Sequence, residues 1–149
     1  IGLCLVGSEM CIRDRSIASE VPAEELEALV WFESKGGTVL IDSELCEETG
    51  AMGIATTAGP SIHICTEPHR GDGLEVADTI RHELWHIAQF CHGSPIGQQP
   101  AAQIAKAHAE GWTTRGYEPN VWHMEAEAHW VAATQDVEFI KGAITRFCF

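Results

Sequence analysis

The sequence predicts an α+β fold: a small antiparallel sheet in the N-terminal half, then a long helix, then further helices. Three observations carry that prediction. Short β-branched runs cluster before residue 66. From Leu74 to Cys91 the chain has no Pro or Gly and repeats its apolar residues at helical spacing. Everything after that reads as helix and loop, so strands precede helices instead of alternating with them as a βαβ sheet requires. At 149 residues the chain supports one core and therefore one domain.

Pro22 to Ser34 reads as the first helix, with Pro early and Leu26, Leu29, Val30 and Phe32 as its apolar set. Gly36-Gly37 ends it, and Thr38 to Asp42 is a short strand. Met52 to Thr56 and Ser61 to Cys65 are two more strands, joined in hairpin fashion by Thr57-Ala58-Gly59-Pro60. Thr66 to Gly73 is a polar loop. In the long helix, Val76, Ala77, Ile80, Leu84, Ile87, Ala88 and Cys91 form one stripe, and Gly93-Ser94-Pro95 stops it. Ala101 to Glu110, Val121 to about Gln135, and Val137 to Phe147 read as the remaining helices.

Residues 1 to 15 stand apart. Leu5 to Asp14 reads LVGSEMCIRD, which resembles one reading frame of a transposon-end adapter used in preparing sequencing libraries. The domain is therefore expected to span 16–149, with any secretion signal lost from this sequence. Four cysteines remain: Cys46, Cys65, Cys91 and Cys148, with no CxxC among them. Either they are small buried residues, or Cys65 and Cys91, which bracket the long helix, form a disulfide.

The net charge of −13 gives solubility and argues against nucleic acid as a partner. No apolar run approaches the roughly 18 residues of a membrane span.

The motif with chemistry in it is His82-Glu83-Leu84-Trp85-His86, an HExxH. Residues four apart lie one turn above each other on a helix, so His82 and His86 can offer two imidazole nitrogens to one ion. Glu83, one step round, can reach a water on that ion. Zinc with such a carboxylate beside it is a hydrolytic device.

A catalytic zinc keeps three protein ligands. Three residues compete for the third position: Glu125, His92 and Cys46. Glu125 borders the buried face of its helix, close in phase to Ala128 and Ala132, and His129 lies one turn on to orient the site. Glu127 lies about 100° off that face and is expected to be a solvated carboxylate. His92 has the metzincin spacing, but Gln89 stands where that motif needs Gly, which leaves His92 about 240° round the helix from His86. Cys46 would follow peptide deformylases, yet Trp85 replaces their Asp and Ser43-Glu44-Leu45-Cys46 lacks their EGCLS.

HExxH with a glutamate on a later helix resembles the gluzincin metallopeptidases, whose second motif is often ExxxD or ExxA[DN]. Glu125 and Ala128 match it, while His129 stands where Asp or Asn is usual. HELWHIAQ followed by ExEA is also similar to uncharacterised predicted peptidases of marine microbes. The resemblance covers residues 75–134. It implies a zincin-like fold, zinc held by His82, His86 and Glu125, Glu83 as general base, and a peptide or protein substrate. It also implies an edge strand aligning the substrate, at Ser61 to Cys65, and a Tyr upstream of the glutamate to stabilise the oxyanion, for which Tyr117 is the candidate. The alternative is a zinc-binding or interaction module without turnover. His63, His69, His108 and His123 carry no role in this reading, and Trp112, Trp122 and Trp130 are packing residues.

Overall fold

The computed structural model describes residues 20–57, 59–97, 105–106, 109–111 and 119–149. Residues 1–15, most of the helix expected over Ala101 to Glu110, and Tyr117 lie outside these.

Helix α1 (Ala23–Ser34) starts after Pro22. It buries Glu25, Ala28, Leu29 and Phe32, whereas Val30 is exposed. Strand β1 (Thr38–Ile41) follows, then a short helix α2 (Glu44–Thr49) absent from the sequence prediction. Its signals are small: Ser43 before it, and Gly50 after it at φ 62°. Strands β2 (Gly53–Thr56) and β3 (Ser61–Ile64) form the expected antiparallel hairpin.

The sheet order is β1-β3-β2, and β1 runs parallel to β3, so the sheet is mixed and not purely antiparallel. The chain reverses twice between β1 and β3, through α2 and through the hairpin, and so returns in its original direction. Ser61 to Cys65, expected at an edge, is instead the central strand, with β1 and β2 at the two edges and no strand pairing beyond β2 among the described residues.

Helix α3 (Gly73–His92) is the axis of the molecule. Asp72 caps it by accepting from the N–H groups of Leu74 and Glu75, and Gly93 ends it at φ 83°. It packs against β2 and β3, against helix α4 (Pro119–Thr134), helix α5 (Val137–Cys148) and α1. With neighbours on nearly every side, it buries Trp85 and Gln89 as well as the predicted stripe. Cys91, the last residue of that stripe, is exposed.

Among the described residues, two disulfides form: Cys46 to Cys65, and Cys91 to Cys148. The expected Cys65–Cys91 pair does not form. Cys65 follows β3 and is bonded to Cys46 beside the sheet, while Cys91 lies in the last turn of α3. Cys91 instead meets the end of α5. Among the described residues, no helix is long and apolar enough to cross a membrane.

Candidate functional site

The α3 backbone alone sets the first half of the site. His82, Glu83 and His86 point to one side of the helix, and each is less than a tenth exposed. The two Nε2 atoms lie 3.0 Å apart. Helix α4 supplies the second half. Ala126, Ala128 and Ala132 are essentially fully buried, small enough to bring α4 close to α3. That approach sets Glu125 Oε2 at 3.3 Å from His82 Nε2, and Oε1 at 3.2 Å from His86 Nε2.

Among the described residues, His82, His86 and Glu125 form a group that could hold a metal ion, each offering one atom and all within 4.8 Å of one another. Donor atoms on a tetrahedron around zinc, at about 2.0–2.1 Å from it, lie roughly 3.3 Å apart. The observed separations fit that figure. The chemistry of the set fits too. His86 Nδ1 is 2.7 Å from Gln89 Oε1, which only accepts, so Nδ1 carries a hydrogen, and in the neutral ring the lone pair is on Nε2. That nitrogen sits beside a carboxylate oxygen, an arrangement that calls for a cation: a proton on the ring in the metal-free protein, or a metal ion held by both groups.

The titration directions express the same demand. Burial alone would raise the Glu125 pKa, but its hydrogen bonds to His82 and His86 hold it well below the usual carboxylate range. Burial would lower His86, yet the Glu125 carboxylate reverses this and raises it. Glu83 goes the other way. Burial raises its pKa against the pull of the two histidines, and the backbone N–H of Ala55 donates to it.

Strand β2 presses directly on Glu83. A Cβ at Gly53 would fall 2.6 Å from Thr79 Cγ2 and 2.7 Å from Glu83 Oε1, so only glycine fits there. Met52 O accepts from Cys65 N at 3.0 Å, and by alternation Gly53 and Ala55 turn their main-chain groups to the open edge. Edge strand, α3 and α4 together bound a cleft of about 480 Å³. Asp78 and His129 line one part of it, with Phe90, Val121 and Met124 lining another.

The remaining candidates fall elsewhere. His92 is exposed, 3.1 Å from Ser94 Oγ with its ring against Phe147, because α3 stays helical through it and never turns back. Cys46 is committed to its disulfide. His129 sets its ring edge-on to His82, centroids 4.4 Å apart, at the exposed rim of the cleft. Glu127 is turned away from the site as its phase requires, but it is fully buried and not solvated. It accepts from Trp85 Nε1 and from the N–H groups of Ile96 and Gly97. Helical phase reports a direction and not what covers it. Gln89 was read in the sequence only as a missing glycine, yet it is fully buried against His86. Its signal was its place one turn after His86 on the same face.

Residues 22–149 match the family described as a domain of unknown function (DUF8637), and the chain belongs to that family. No curated protein and no solved structure matches it.

Proposed function

We propose that this member of the DUF8637 family is a zinc-dependent peptidase of gluzincin type, with zinc held by His82, His86 and Glu125. One observation carries the reading: three potential ligand atoms converge beside a buried, separately held carboxylate, Glu83, at the wall of an open cleft. Zinc bound there would supply a Lewis acid that lowers the pKa of water to roughly 7.

The chain's own residues do the rest. Glu83, with its raised pKa, takes a proton from the attacking water. As the water oxygen bonds to the peptide carbon and the C–N bond breaks, Glu83 returns that proton to the leaving amine. The Ala55 N–H keeps the carboxylate aimed while this happens. An extended peptide lies along β2 through main-chain hydrogen bonds at the open edge. This replaces the role expected for Ser61 to Cys65, which is paired on both sides. The apolar part of the cleft, at Phe90, Val121 and Met124, receives a side chain of the substrate.

Glu83→Gln tests the assignment. It removes the base and leaves all three proposed ligands, so zinc should still bind while hydrolysis of a mixed peptide pool falls at least ~100-fold. Equal hydrolysis by both forms would remove Glu83 from the mechanism. Zinc binding with no hydrolysis by either form would favour a non-catalytic zinc module.

A further inference from the structure

We infer that Gln89 is a positioning residue of the metal centre, one that sets which nitrogen of His86 faces the ion and fixes α4 so that Glu125 meets it. The inference rests on the reading of His82, His86 and Glu125 as a metal site.

The geometry leaves little freedom. The Gln89 side chain is fully buried and makes two hydrogen bonds of opposite sense. Its amide nitrogen donates to the main-chain oxygen of Met124 at 3.0 Å. A carbonyl can only accept, so the NH₂ end must be the one at Met124, and Oε1 must be the one at His86. His86 Nδ1, 2.7 Å away, is thereby obliged to donate. In the neutral ring that binds a metal, the lone pair is then confined to Nε2, the atom that faces His82 and Glu125. Tautomer and ring orientation follow from one buried amide.

The other hydrogen bond acts on the third ligand. Met124 immediately precedes Glu125, so the bond to its carbonyl anchors α4 one residue from the carboxylate. Gln89 thus couples the two helices that contribute ligands. Glycine here, as in a metzincin, would leave His86 Nδ1 without this acceptor and Met124 O without this donor.

The test uses the full oxidised chain and zinc alone, with affinity read by competition against a chromophoric chelator. Gln89→Leu fills the space but offers neither bond, and zinc affinity of the folded protein should fall about 10- to 100-fold. Gln89→Glu keeps the acceptor for His86 and should fall less than Gln89→Leu. A structural role alone would lower the melting temperature of Gln89→Leu and leave the affinity of the folded fraction at the wild-type value, which would overturn the inference. A second measurement needs no variant. In the zinc-loaded wild type, long-range ¹H–¹⁵N spectra should show His86 protonated at Nδ1, with Nε2 on the metal. The reverse assignment would overturn the proposal even if Gln89→Leu does not fold. Failure of wild type to bind zinc would remove the metal reading, and this inference with it. Zinc binding by wild type with no change in Gln89→Leu removes only the inference.

Discussion

Glu125 and Glu127 stand two residues apart on α4, and their surroundings differ in the one respect that matters chemically. Glu127, on the far side of the α3–α4 pair, is fully buried among N–H donors from Trp85, Ile96 and Gly97. Each donor brings a partial positive charge, so the carboxylate is stabilised by protein alone. Glu125, on the cleft side, faces two imidazole Nε2 atoms, which can give it a proton or share a metal ion with it. The positive partner there is exchangeable, whereas the donors around Glu127 are fixed in the fold. The same residue type serves as a structural clamp in one place and as a prospective ligand in the other, and the partners decide which.

The contrast can be broken from the cleft side first. Glu125→Ala should weaken zinc by several orders of magnitude, well beyond the ~10- to 100-fold of a supporting residue. It should also lower the stability of the metal-free protein near neutral pH, since the hydrogen bonds that hold the Glu125 pKa down are lost. A chelator competition and a thermal melt read the two effects. Zinc loss below tenfold would show that Glu125 is no ligand.

The far side rests on covalent and apolar support. Trp85, which donates to Glu127, stacks on Phe139 of α5 at 5.7 Å, and α5 is tied to α3 by Cys91–Cys148. Closing 57 residues of chain constrains the unfolded state, so Cys91→Ser with Cys148→Ser should cost roughly 4 kcal/mol. Denaturant titration checks this. The folded fraction should keep its zinc affinity, and a matching loss would mean that the two sides are not separable.

Glu127→Ala comes next. It strands three N–H groups, and at about 1–3 kcal/mol for each buried orphan the loss should be near ~3 kcal/mol after relaxation. Zinc affinity of the folded protein should change less than about tenfold. An affinity loss matching that of Glu125→Ala would erase the distinction between the two glutamates.

The smallest expected effect is at Gly53→Ala. The added methyl meets Thr79 and Glu83 and should cost about 1–3 kcal/mol. By pushing β2 off Glu83 it should reduce peptide hydrolysis while zinc binding stays. Unchanged kinetics would show that β2 does not hold the base.

The half of the site on α3 was legible in the sequence because i, i+4 spacing is a property of the helix alone. Glu125 was legible because Ala128 and Ala132 fixed the buried phase of α4. What lay beyond a single helix was not. Glu127 read as solvated because phase cannot show that Trp85 and the loop at Ile96 close over it. Gln89 had half a signal, its place one turn after His86, but its second partner is a main-chain oxygen on another element, which no spacing shows. The order of strands turned on α2, six residues whose Ser43 spends its hydroxyl on His63 Nδ1, at 2.7 Å, and not on a helix cap. The cysteine pairing failed because Cys65 sits beside the sheet and Cys91 in the last turn of α3.

Titrating zinc into the metal-stripped chain tests the central claim most directly. One ion per chain should bind, and at a hundredfold excess over Kd it should add ~2.7 kcal/mol of stability. That corresponds to a rise in Tm of about 5–11 °C, present in wild type and absent in Glu125→Ala. No uptake by wild type, or the same rise in both proteins, would contradict it.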